Sequence, residues 1–198
     1  MSAWWVIGIN YLIGSLPFGV IIGWLLKGID IRKYGSGNIG ATNVSRVLGF
    51  TPALLAGVAD ALKGFLGAYL ATRFVQNPFL WFLAVFMIVI GHNWSVFLHF
   101  KGGKGVATTV GILFYLSYQA AIISFLSWIG MVLISRYSSL GSLAGALFMP
   151  IGLYIFKKSP EIIWWGIFAC ALVFLRHSEN IKRLVGGKEH KIGKKGRE

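Results

Sequence analysis

The 198-residue chain is 56% apolar and only 13% charged, about half the charge of an ordinary soluble domain, which excludes a conventional water-soluble fold. Its formal charge of +13 could suit nucleic acid, but the cations lie in loops flanking apolar stretches and in the tail. Anionic membrane lipids are the better partner, and no nucleic acid is expected.

No Pro/Ser-rich linker or internal repeat divides the chain, so residues 1–198 are read as one integral membrane domain, all-α. The first apolar stretch, about 3–25, lacks a positively charged start and exceeds a signal-peptide core, so it reads as a retained span. Spans at 53–72 and 79–98 follow, the first carrying only Asp60 and Lys63. These two lie about one helical turn apart and pair, either as a structural brace, the preferred reading, or as the ion relay of a carrier. The apolar run from 106 to 134 is long for one span, since about 20 residues suffice. It holds "YLSYQ" near its middle, where Ser117 and Gln119 would face lipid. Splitting it there gives helices at 106–117 and 119–134. The first would be about 18 Å long against a hydrocarbon core of about 30 Å, so it must be buried among other helices or open onto a polar cavity. Spans at 140–156 and 162–175 complete the series, followed by a basic tail at 186–198 whose last residues are expected to be mobile. Cys170, the single cysteine, lies within the last span and reads as a small buried hydrophobe. Trp4, Trp5, Trp81, Trp94, Trp164 and Trp165 fall near span ends, as an aromatic belt requires.

Charge decides between six spans and seven. With seven, one side receives Lys27, Arg32, Lys33, Arg46, Lys101, Lys104, Arg136 and the eight cations from Arg176 onward, and the other only Arg73, Lys157 and Lys158. With six, the tail cations would face away from Arg46 and Lys104, and the bias would vanish. The positive-inside rule therefore favours about seven transmembrane helices, an external N-terminus and a cytoplasmic tail.

Under that topology "YGSGNIGATNVSR", "GHNWSVFLHFKGGKGVAT", "SRYSSLGS" and "RHSENIKRLVGGKEH" meet at the cytoplasmic face. Gly35, Gly37 and Gly40 match G-x-G-x-x-G, but no strand precedes them, so a dinucleotide fold is excluded. Their physical content remains: glycines let successive N–H groups turn into one anion-binding concavity. Ser36, Asn38, Thr42 and Asn43 add donors, and Arg46 adds a fork suited to phosphate; the plainer alternative is a flexible turn. Gly102, Gly103 and Gly105 surround Lys104 just before a helix start, again suited to phosphate or, more simply, to lipid headgroups. Gly105 follows the lysine where a nucleotide-binding P-loop needs Ser or Thr, which argues against a nucleoside triphosphate. His177 and Asn180 share a helix face, placed for catalysis or for positioning a substrate. Ser142 stands at a helix start, where an ordinary cap is the competing role. No carboxylate pair has the spacing of a two-metal site, and neither H-x-x-x-x-D nor G-x-S-x-G occurs.

"GSGNIGATNVSR", "GHNWSVFLHFKGGKGVAT" and "HSENIKRLVGGKE" resemble the three signature regions of the bacterial acyl-phosphate:glycerol-3-phosphate acyltransferases, integral membrane enzymes of early phospholipid synthesis. The resemblance runs in order through essentially the whole chain. It implies attack of the 1-hydroxyl of glycerol 3-phosphate on a fatty acyl phosphate, yielding lysophosphatidic acid and inorganic phosphate, with no cofactor or metal. A five-span arrangement would be the rival topology. His177, Lys104, Arg46 and Ser36 are the expected catalytic residues, with the remaining residues of the two glycine loops, Ser142 and Asn180 binding substrate. The expected location is the bacterial inner membrane and the expected state a monomer. A transporter or channel for a small organic phosphate is the alternative from another class.

Overall fold

Proline and glycine part several of the apolar stretches. In the computed structural model, which describes residues 3–192, the first stretch is two helices, α1 (Trp4–Ser15) and α2 (Phe18–Lys27). They are parted at Leu16 and Pro17, where the missing N–H and fixed φ of proline end α1. A 3-10 turn at Ile31–Lys33 leads to α3 (Ala41–Leu48), and the long α4 (Phe50–Phe74) starts beyond Gly49, which sits at φ 94°. α5 (Pro78–Asn93) is capped by the Asn77 side chain and opens on proline. α6 (Val106–Leu116) ends where Ser117 turns extended and caps α7 (Tyr118–Ser135). α8 (Ser138–Ile155), α9 (Pro160–Arg176) and α10 (Ser178–Val185) complete the fold. The described residues contain no strand.

Five segments are long and apolar enough to cross a membrane: Trp4–Lys27, Phe50–Phe74, Pro78–Leu98, Tyr118–Ser135 and Ser138–Ile155. α9 qualifies only together with α10, from which it is bent by 59°. α10 carries Glu179, Lys182 and Arg183 and cannot lie in hydrocarbon. The expected split of the 106–134 run falls at Ser117, as anticipated. α6 has 11 residues, about 16 Å, and only Phe114 among them is exposed, so its shortness is covered by neighbours.

Small residues set how closely the helices approach. A Cβ at Gly111 would lie 1.8 Å from the Ala61 carbonyl oxygen, and one at Gly64 would lie 2.1 Å from that of Thr108. α4 and α6 therefore run side by side in the same direction. Asn10 of α1 donates to the carbonyls of Gly67 (3.1 Å) and Ala84 (2.8 Å), tying α1 to α4 and α5 deep in the bundle. α7 and α8 are antiparallel, with Gly141 against Trp128 and Gly152 against Ala120. The core between the helices is Val85, Ile88, Ile112, Leu113, Met149, Leu153 and Trp165. Trp165 is thus a correction to the expected aromatic belt: it is fully buried, while Trp164 beside it is 58% exposed. Adjacent residues on a helix point about 100° apart, so one faces the bundle and the other the lipid.

Alternation of helix direction gathers residues 28–49, 94–105, 136–137 and 177–192 at one end of the bundle, where hydrogen bonds join them. Residues 193–198, the last six of the thirteen-residue tail and the part expected to be mobile, lie outside the described part. Residues 186–192 pack back over the polar end, with the Ile192 N–H donating to the Arg136 carbonyl at 2.8 Å.

Candidate active site

The first glycine loop is organised by one asparagine. Asn43, on the first turn of α3 and 1% exposed, accepts the Ser36 N–H at 2.7 Å through Oδ1. Its Nδ2 donates to the carbonyls of Ile31 (3.2 Å) and Tyr34 (3.1 Å). Asn38 Oδ1 accepts the Gly40 N–H at 2.8 Å. Gly35 and Gly37 take the left-handed conformation that a tight turn requires, at φ 60° and 70°. Gly40 does not: at φ −77° it is the N-cap residue of α3. The loop is a built turn with Ser36 exposed at its tip, and Asn43 and Asn38 hold its backbone. Thr42 Oγ1 meets Ser138 Oγ at 2.9 Å, joining the loop to the start of α8. Arg46, half-buried, reaches across to the His190 carbonyl at 3.4 Å.

The second loop is gripped from both sides. Gly102 N–H donates to the Asn93 carbonyl (3.2 Å) and Gly103 N–H to that of His92 (2.9 Å). From the other side Arg176 donates to the Gly103 carbonyl through Nε (3.1 Å) and Nη2 (2.9 Å). Its guanidinium lies over the Trp94 ring, 5.0 Å from the centroid, which fixes its approach. A Cβ at Gly102 would fall 2.1 Å from the His92 carbonyl oxygen and one at Gly103 2.2 Å from His92 Nε2. Gly105, at φ 76°, starts α6. Lys104 is thereby aimed at α10, where its ammonium donates to Asn180 Oδ1.

Asn180 in turn donates through Nδ2 to Glu189 at 2.8 Å. The same carboxylate accepts from Ser139 Oγ (3.0 Å) and Arg183 Nε (2.8 Å). Glu189 thus locks residues 186–192, a strap, onto α8 and α10. Burial alone would raise the Glu189 carboxyl, but the hydrogen bonds from Arg183, Asn180 and Ser139 outweigh it and hold it below the ordinary value. Burial pushes the Lys104 ammonium down to about 8, with Arg183 and Arg46 acting in the same direction and Glu189 against them. The Arg46 guanidinium is also lowered by burial and by Arg183, though a guanidinium stays charged at any working pH.

His177, one residue beyond the end of α9, is 2% exposed. Burial, and then the Lys104 charge, push its imidazole down to about 4, so the ring is neutral at pH 7. Its Nδ1 lies 2.8 Å from the Val173 carbonyl. That contact assigns the proton to Nδ1 and leaves Nε2 as an acceptor. Ser142, expected beside the substrate, is 7% exposed, and its hydroxyl donates back to the Ser138 carbonyl at 2.9 Å.

Of the residues expected at the site, Arg46, Thr42, Lys104, Asn180, His177 and Ser142 converge at this end, with the two glycine loops around them. Sequence reasoning did not single out Ser138, Ser139, Arg183 or Glu189 as site residues. Glu189 had one signal: it is one of only two acids in a strongly basic tail and stands between Lys188 and Lys191, where an unpartnered carboxylate would be unusual. The arrangement places three cations, Arg46, Lys104 and Arg183, around a single structural carboxylate. Net positive charge remains at this end for anionic ligands.

A family model described as glycerol-3-phosphate acyltransferase matches residues 4–187. The chain is 45% identical over 190 residues to the glycerol-3-phosphate acyltransferase of Thermotoga petrophila, covering 96% of each. It resembles the crystal structure of PlsY, an integral membrane glycerol 3-phosphate acyltransferase, in its glycerol 3-phosphate form, with TM-score 0.91 and 40% identity over 98% of this chain and 96% of that one. The lysophosphatidic acid form of PlsY gives TM-score 0.90 and 39% identity over the same shares. Matches of this extent settle the family: the chain belongs to the glycerol-3-phosphate acyltransferases.

Proposed function

We propose that the chain transfers a fatty acyl group from acyl phosphate to the 1-hydroxyl of glycerol 3-phosphate, releasing lysophosphatidic acid and inorganic phosphate. The observation that carries this reading is the convergence of Arg46, Lys104 and Arg183 with neutral His177 at one end of an apolar bundle. Both substrates are anionic, and one brings a long chain that can remain in lipid. A carrier needs its site near the membrane middle, which this arrangement does not suit.

The Arg46 loop, with Ser36 at its tip, receives the acyl phosphate. Asn43 and Asn38 keep that loop's shape, and Gly35, Gly37, Gly40 and Thr42 give it its curvature and its tie to α8. Lys104 and Asn180, with Gly102, Gly103 and Gly105 behind them, hold glycerol 3-phosphate, and Ser142 lines the same side. The alcohol oxygen attacks the acyl carbon, the bond from that carbon to the phosphate oxygen breaks, and phosphate leaves with the bonding pair. Phosphate is a good leaving group, so positioning and charge neutralisation supply most of what is needed. A base of pKa about 4 is a poor match to an alcohol. His177 Nε2 therefore orients the hydroxyl by accepting its hydrogen bond, and the proton passes to a phosphate oxygen of a substrate. No acyl-enzyme forms.

The membrane arrangement that fits is seven crossings with α6 as the short one, an external N-terminus and the site at the cytoplasmic face of the bacterial inner membrane. The chain works as a monomer. The test is phosphate release from palmitoyl phosphate by purified protein in detergent, with and without glycerol 3-phosphate and with EDTA throughout. Release that requires glycerol 3-phosphate, with lysophosphatidic acid appearing in equal amount, is expected. A folded protein that releases nothing would sink the proposal, and counterflow of an organic phosphate in vesicles would replace it with transport.

A further inference from the structure

We infer that Asp60, Lys63 and His92 form a buried positioning cluster that sets the height of the Lys104 loop, acting through the contact of the His92 ring with Gly103. This rests on the reading of Lys104 as the glycerol 3-phosphate residue. The three side chains are at most 4% exposed and lie within helices that cross the membrane. Ionisable groups there are costly enough to need a purpose. Lys63 Nζ forms an ion pair with Asp60 Oδ1 at 2.7 Å, donates to the Leu16 carbonyl at 2.7 Å and meets His92 Nδ1 at 3.0 Å. Lys63 thus faces Asp60, the Leu16 carbonyl and the Nδ1 edge of His92, while the Nε2 edge of His92 lies against Gly103. The Leu16 carbonyl is free for this bond because Pro17 ends α1 there.

A brace to α1 would need only Asp60, Lys63 and the Leu16 carbonyl, since the acid and the lysine both lie on α4. The third member and its surroundings point to the loop instead. The peptide of Gly103 is held on every side: its N–H by the His92 carbonyl, its Cα by the His92 ring, and its C=O by Arg176. The end of α5 that carries His92 is itself stapled to α1. Tyr11 OH donates to the Trp94 carbonyl at 2.9 Å and Ser95 Oγ to the Ser15 carbonyl at 2.6 Å. Lys104 is the next residue. A shift of the His92 ring is thus passed to the Lys104 ammonium with only one peptide between them, and a misplacement of about 1 Å can cost about a hundredfold. Asp60 and Lys63 touch no substrate; they act by fixing the ring.

The test uses the full-length protein in detergent, with melting temperature, kcat and the KM for each substrate measured on the same preparations. Asp60→Asn combined with Lys63→Met removes both charges together, so no buried charge is left unpaired. His92→Ala leaves the ion pair intact and removes the ring. Each is expected to melt near the parent temperature, to raise the KM for glycerol 3-phosphate by about tenfold or more, and to leave the KM for palmitoyl phosphate within about twofold. Combining all three changes should add little to either, since they act on one element. An unchanged KM for glycerol 3-phosphate in folded variants would overturn the inference. So would a parallel rise in both KM values that tracks a loss of melting temperature. Lys104→Ala is the reference: if it leaves glycerol 3-phosphate kinetics intact, the substrate reading falls and the inference with it. If it disables the enzyme while the cluster variants behave as the parent, the inference alone falls.

Discussion

Raising the pH should switch off the Lys104 side of the site at a pH where an ordinary lysine is still fully charged. Burial holds its ammonium at about 8, against about 10.4 for an exposed lysine. The proton is therefore held below pH 8 and lost above it. About nine in ten free enzyme molecules carry the charge at pH 7 and about one in eleven at pH 9, so kcat/KM for glycerol 3-phosphate should fall about tenfold between them. The Arg46 guanidinium nearby remains charged throughout, and Glu189, held below its ordinary value, remains ionised. The substrate's own second phosphate ionisation, at about 6, is complete before this window opens. The assay is initial-rate phosphate release from pH 6.5 to 9.5, corrected for spontaneous hydrolysis of the acyl phosphate. Lys104→Arg should lower the rate but remove the alkaline limb. A wild-type profile flat to pH 9.5, or the same limb in Lys104→Arg, would refute the assignment.

Three other changes have defined outcomes. Arg46→Ala should lower kcat/KM by about a hundredfold or more, with Arg46→Lys recovering only part, because an ammonium cannot supply a two-pronged contact to phosphate; equal activity of the two replacements would count against a bidentate role. His177→Ala should keep a measurable rate with an unchanged pH profile, since a ring held near 4 is neutral across the assay range; loss of a titration step near neutrality would make it a base after all. Gly111→Ala places a methyl 1.8 Å from the Ala61 carbonyl oxygen and should cost about 1–3 kcal/mol, read as a lower melting temperature in detergent; a stable variant would mean that α4 and α6 can part freely.

Much of this architecture could be read from composition and charge because a bilayer penalises errors of topology severely. The break at Ser117 was legible as polar residues in an apolar run, and the Asp60–Lys63 pair as two charges one turn apart. The convergence of the polar segments followed from counting cations on either side. What was not legible depends on side-chain direction. Trp165 faces the core and Trp164 the lipid, a difference that proximity to a span end does not encode. Asn43 looked like a ligand and is the organiser of its loop, because its amide satisfies three backbone groups. His92 stood inside a quoted motif without a role, since only packing brings its ring onto Gly103. Glu189 needed the strap to fold back before its three partners could be seen.

The strap also has a consequence for how the protein is made. Glu189 leaves the ribosome after every other side chain of the site, when the preceding helices can already be in the membrane. Until it arrives, Asn180, Arg183 and Ser139 have no common partner, and the cations around them repel one another. A nascent chain therefore holds every helix of the fold without a finished site. The last tie of the site is thus made by a residue that follows every helix of the described fold.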